Sequence, residues 1–148
     1  MEPAVRHKSF RYHTALEWKT GREGTLSSDV KPFLDVSSPP EFKGIAGRWT
    51  PEDMFVAAAE ICMMSTFLSF GGRKGIPLVS YKSAAEGVLE FVDGKYRFTK
   101  IRITPTITVK REWTQEQVEE VLREAHLNCL IANSISTPVE IQPTIILV

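Results

Sequence analysis

The sequence predicts a single α+β domain over residues 1–148, with antiparallel sheets packed around one buried central helix. Three patterns carry that expectation. Segments of period-two alternation lie on both sides of a long, almost uniformly apolar stretch from Met54 to Phe70. Asp93-Gly94 sits between two strand-like runs, a strong hairpin signal. A capping box opens a second, amphipathic helix at Thr114. With 148 residues, the chain is long enough to build a core without a disulfide or metal staple.

Taken in order, Ser9 to Trp18 alternates, with Phe10, Tyr12, Thr14, Leu16 and Trp18 on one parity of a half-buried strand. The segment Thr20-Gly21-Arg22-Glu23-Gly24 supplies a turn, and Thr25 to Val30 returns as its partner. Phe33 to Val36 is a short third strand, and Ser37 to Gly47, with its prolines and glycines, is a loop. Thr50 is placed to cap the first helix, Pro51 suits its first position, and Glu52 and Asp53 favour its positive end. Apolar residues then occupy nearly every face, the pattern of a helix buried on all sides, until Gly71-Gly72 ends it. Ser83 to Val92 and Tyr96 to Val109 form the hairpin, with Ile101, Ile103, Ile107 and Val109 facing inward. The second helix turns Val118, Val121, Leu122 and Ala125 inward and breaks at Asn128. Cys129 to Ile135 forms a short helix, and Glu140 to Val148 is the last strand.

Lys+Arg 18 balance Asp+Glu 18, so the chain has no broad basic footprint for nucleic acid, and no local Lys/Arg run replaces it. Zero net charge also favours self-association. The N-terminal run MEPAVRHKSFRYH has no apolar core of a secretory signal, and Met54 to Phe70, which contains Glu60, is short for a membrane span. The expected setting is therefore a reducing cytoplasm with no membrane attachment. There the two cysteines, Cys62 and Cys129, act as core filler, metal ligands or redox groups.

Cys62 lies well inside the first helix, beyond the influence of its N-terminus. As a core residue it is a small apolar filler; as a reactive thiol it needs a nearby cation, with Arg22 and Arg48 the near candidates in sequence. Cys129 follows the Asn128 break at a helix start, where exposed backbone amides are expected to lower a thiol's pKa. His126-x-x-Cys129 together with Cys62 also offers three zinc ligands, without the spacing of any known zinc motif. Glu52 reads most simply as a dipole partner and Arg22 as a loop cation. Glu60, a carboxylate on an apolar helix, needs a partner or an interface. No G-x-S-x-G elbow and no Walker loop is present.

The run Trp49-Thr50-Pro51-Glu52-Asp53-Met54-Phe55-Val56-Ala57-Ala58-Ala59-Glu60-Ile61-Cys62 resembles the signature helix of the OsmC/Ohr family of peroxidases. There a [NT]-P-E turn precedes a small-residue helix with the reactive cysteine ten positions after the glutamate, as it is here. Gly21-Arg22-Glu23-Gly24, Lys74-Gly75-Ile76-Pro77-Leu78 and Ala125-His126-x-x-Cys129 match further blocks in order, although Leu130 follows Cys129 where the family often has proline. The resemblance implies an OsmC-like fold and an intertwined homodimer with two interface sites. It also implies reduction of organic hydroperoxides by a cysteine peroxidase without haem, metal or other cofactor. In those terms Cys62 is the peroxidatic and Cys129 the resolving cysteine, Arg22 stabilises the thiolate, and Glu52 orients Arg22. A dithiol such as a lipoyl group would recycle the disulfide. The competing expectation is a non-catalytic OsmC-fold domain that binds a small apolar or electrophilic ligand at the dimer interface.

Overall fold

The computed structural model describes Ala4 and residues 7–148; the remaining N-terminal positions, on which part of the signal-sequence expectation falls, lie outside the described residues. The chain divides into two compact units, Met1–Pro51 and Glu52–Val148.

The first unit is a three-stranded antiparallel meander of β1 (Ala15–Thr20), β2 (Glu23–Ser27) and β3 (Leu34–Ser37), in that order. Gly21, with φ 53°, closes the first turn, and the Trp18 indole N–H donates to its carbonyl at 3.0 Å. The first strand is shorter than its alternation predicts, because Phe10 to Thr14 lie outside it. Nor is it half-buried: every residue of β1 is exposed, with Leu16 at 69% and Trp18 at 73%. A three-stranded sheet has no second layer within its own unit on which an alternating face could pack.

The second unit holds the core. Helix α1 (Pro51–Arg73) leads into the long hairpin β4 (Leu78–Val92) and β5 (Lys95–Val109). Asp93 and Gly94 make its turn with φ of 52° and 83°, as the dipeptide predicts. Helices α2 (Gln115–Leu127) and α3 (Leu130–Asn133) follow, then β6 (Val139–Ile141) and β7 (Thr144–Leu147). Both halves of the capping box form: Gln117 N–H donates to Thr114 Oγ1 at 3.2 Å, and Thr114 N–H to Gln117 Oε1 at 2.8 Å. Ile101, Ile103, Ile107 and Val109 from β5 meet Val118, Val121, Leu122 and Ala125 from α2, all buried as the patterns predict.

Two expectations change. The sheet is mixed, because β6 and β7 both run parallel to β5. The crossover through α2 and α3 makes that direction available. The single final strand is also two, interrupted at Gln142-Pro143, where proline has no N–H to give the ladder.

Helix α1 is buried along one stripe, Ala59, Met63, Phe67 and Gly71, rather than on every side; Ile61 is 61% and Leu68 41% exposed in the single chain. Gly71 and Gly72 do not end it. They lie inside it, with Gly71 buried beside Ile76, and the helix continues to Arg73. By length and composition alone, α1 would suffice to cross a bilayer. Its approach to the hairpin depends on Gly87, where an added Cβ would fall 2.4 Å from Val56 Cγ2 and 2.8 Å from the Phe98 ring.

Candidate active site

Cys62 projects from the middle of α1, next to Met63 of the buried stripe, and is partly exposed. Cys129 occupies the N-cap of α3 and is 2% exposed. Both are free thiols, and the fold brings them close enough for each to shift the other's ionisation. The junction that positions Cys129 is well tied. Its carbonyl accepts from Asn133 N–H at 3.0 Å, and the Asn133 side-chain amide donates to the Leu127 carbonyl at 3.1 Å.

The two sulfurs are driven in opposite directions. Burial pushes the Cys62 thiol up, but the neighbouring Ile131 amide, Cys129 thiol, Thr66 hydroxyl and Leu130 amide, which favour the thiolate, together outweigh it. The net result is a Cys62 pKa below the ordinary thiol value. Cys129 is pushed up, first by burial and then by the neighbouring Cys62 sulfur, despite the amides of Ala132 and Ile131. The expectation that its place at a helix start would lower Cys129 is therefore reversed. The first amides of α3 favour ionisation of Cys62 across the gap, and a thiol beside an incipient thiolate keeps its own proton.

Thr66, one turn beyond Cys62, was not singled out in the sequence, although its i+4 spacing on the same helix could have marked it. Its Oγ1 lies 3.9 Å from Cys62 Sγ and donates to the Cys62 carbonyl at 2.7 Å. The amides of Leu130 and Ile131 were likewise missed, since no local pattern announces a contact across the fold.

Glu52 stands in the first turn of α1, with Oε2 shielded from solvent and without a hydrogen-bond partner among the described residues. Arg22 is exposed beside Gly21 in the first unit and makes no ion pair among the described residues. Arg48, the other cation near in sequence, lies 3.6 Å from Glu23. Glu60 has the partner its position requires, since Ser83 Oγ donates to it at 3.1 Å. His126 does not join the cysteines: among the described residues no group of three or more His, Cys, Asp and Glu side chains is placed to hold a metal. It lines a separate cleft of about 340 Å³ with Glu119, Leu122, Arg123, Ile141 and Pro143.

Comparison with known proteins agrees with this architecture. A family described as OsmC-like protein matches residues 44–144. The uncharacterised protein YmaD of Bacillus subtilis is 24% identical over 136 residues, covering 88% of this chain and 90% of its own. An OsmC-like protein of unknown function from Vibrio cholerae superposes with a TM-score of 0.84 at 27% identity, covering 91% of this chain and 99% of its own. An organic hydroperoxide resistance protein from Legionella pneumophila shares the fold with a TM-score of 0.75 at 21% identity, covering 95% of this chain and 99% of its own. With the signature run at the start of α1 and a family match spanning both cysteines, the chain belongs to the OsmC-like protein family.

Proposed function

We propose that the protein is a cysteine-based peroxidase that reduces organic hydroperoxides to alcohols. The observation that carries this reading is the pair of free thiols that the fold brings together, with Cys62 biased toward thiolate and Cys129 toward thiol. Such a pair divides the work. The Cys62 thiolate attacks the distal peroxide oxygen, the O–O bond breaks, and the alkoxide takes a proton and leaves as alcohol, with Cys62 oxidised to a sulfenic acid. The Cys129 sulfur then attacks the sulfenic sulfur, water leaves, and an intramolecular disulfide remains. A small dithiol of lipoyl type returns both cysteines to thiols as it is itself oxidised to a disulfide. Family membership and the hydroperoxide-resistance function named for the Legionella relative support the same chemistry.

Arg22 and Glu52 take the roles that the family resemblance assigns: the guanidinium donates to the thiolate and peroxide oxygens, and the carboxylate aims it. A carboxylate oxygen shielded from water and without a partner is what such a fork would occupy. The exposed apolar residues of α1 and β1 support assembly as a homodimer. Two thiols that must cycle through the reduced state fit a reducing cytoplasm.

The test is consumption of tert-butyl hydroperoxide with dihydrolipoamide as reductant. Wild type is expected to turn over, and Cys62→Ser to be inactive. Cys129→Ser should be oxidised once and then proceed to sulfinic acid when peroxide is in excess. Mass spectrometry after one equivalent of peroxide should find the intramolecular disulfide in wild type alone. Full activity in Cys62→Ser would assign a different nucleophile, and no consumption by wild type would leave the binding domain as the better description.

A further inference from the structure

The carbonyl of Cys62 receives two side-chain hydroxyls: Thr66 Oγ1 donates to it at 2.7 Å and Ser65 Oγ at 3.2 Å, while Ser65 also reaches the Ile61 carbonyl at 3.0 Å. Helical serines and threonines ordinarily bond back to the preceding turn in this way. Here two of them converge on one acceptor, and that acceptor belongs to the reactive cysteine. Thr66 Oγ1 also stands 3.9 Å from Cys62 Sγ, at the outer edge of hydrogen bonding to sulfur.

A hydroxyl has one proton and two lone pairs. With its proton on the Cys62 carbonyl, Thr66 turns lone pairs toward sulfur and can only accept from a thiol S–H. Once the sulfur is ionised, those lone pairs repel it, and rotation about the C–O bond turns the proton to the thiolate. The carbonyl is not left bare by that rotation, because the Ser65 hydroxyl, whose proton is shared between the Ile61 and Cys62 carbonyls, still reaches it. We infer that Thr66 is a positioning residue for Cys62, a hydroxyl that accepts from the thiol and donates to the thiolate, with Ser65 replacing it at the Cys62 carbonyl. Within the second unit, the titratable side chain that bears on Cys62 is that of Cys129; besides the Thr66 hydroxyl, the other neighbouring groups are the backbone amides of Leu130 and Ile131.

The inference deepens the proposed role of Cys62, yet its test needs no peroxide. Full-length wild type, Thr66→Val, Thr66→Ser, Ser65→Ala and the Ser65→Ala/Thr66→Val double variant are alkylated with iodoacetamide across pH. The Cys62 peptide is quantified by mass spectrometry, and thermal melts establish that each variant is folded. Thr66→Val keeps the branched shape without the hydroxyl. It is expected to raise the midpoint for Cys62 by about half a unit, roughly a threefold loss of thiolate below the midpoint. Thr66→Ser restores the wild-type profile. Ser65→Ala raises the midpoint less, and the double variant moves it no further than Thr66→Val, since Ser65 acts only through Thr66. An unmoved midpoint in Thr66→Val, no rescue by serine, or additive shifts in the double variant would overturn the inference. Shifted profiles in a protein that consumes no hydroperoxide would keep Thr66 and reject the peroxidase; normal turnover with unmoved profiles would do the reverse.

Discussion

The two units differ in what they do with their apolar residues. In the second, β5 and α2 hide Ile101, Ile103, Ile107, Val118 and Val121 completely. In the first, Phe10, Tyr12, Leu16, Trp18 and Phe33 are all more than two-thirds exposed in the single chain. Alternation alone therefore states that a strand has an apolar face, not that its own unit covers that face. The chemistry divides along the same line. Both thiols and their hydrogen-bonding partners belong to the packed unit, whereas the cation assigned to them by resemblance belongs to the exposed one.

The sharpest contrast is in stability. Phe67→Ala empties the middle of the α1 stripe and is expected to cost about 3–5 kcal/mol in chemical denaturation. Trp18→Ala removes an exposed ring and should cost the fold little. Its expected effect is on assembly, seen in sedimentation as a shift toward a smaller species. Equal losses of stability from both substitutions, without a change in sedimentation, would erase the distinction between the units.

A smaller effect tests whether the exposed unit takes part in the chemistry. Arg22→Ala is expected to raise the pH at which Cys62 becomes alkylated by about one unit, the lower end of what a neighbouring opposite charge supplies. An unchanged profile would mean that the α3 amides, Thr66 and Cys129 prepare the thiol within the second unit alone.

The smallest effect lies wholly within the packed unit. Burial, and then the charge of Glu60, push the Tyr81 phenol up to about 12. The folded protein thus holds that proton more tightly than the unfolded chain does. The associated stability is present below pH about 10, the ordinary phenol value, and is lost as pH rises toward 12. The loss should be modest, since the Tyr81 side chain as a whole is only half-buried, although its oxygen is shielded. Tyr81→Phe should flatten that decline in denaturation midpoints between pH 10 and 12, and it also removes a buried hydroxyl with no partner among the described residues.

The parts legible in the sequence are those in which local chemistry and tertiary environment agree. The capping box at Thr114, the Asp93-Gly94 turn and the inward faces of β5 and α2 each follow from a few neighbouring residues. Legibility fails where a partner distant in sequence decides. The exposed flank of α1 reads as core because hydropathy cannot distinguish a covering layer from an absent one. The parallel course of β6 and β7 is set by the crossover, not by their own residues. At the site, the signature run pointed to Cys62, but the direction of the Cys129 shift required knowing that the thiol is buried and that another sulfur stands beside it. Thr66 is an intermediate case, marked by helical spacing and given meaning only by the distance to sulfur.

The parallel pairing of β5 with β6 and β7 also orders events during folding. The β4–β5 hairpin joins residues close in sequence and can form early, whereas Ile101–Val139 and Thr106–Thr144 must close loops that contain both later helices. Cys129 lies inside those loops, at the start of α3, and Cys62 lies before the hairpin. A chain still being synthesised therefore has Cys62 emerge without the amides and the second thiol that bias it toward ionisation. The two sulfurs meet only when the segment that carries α3 has docked, so their juxtaposition is among the last features the chain acquires.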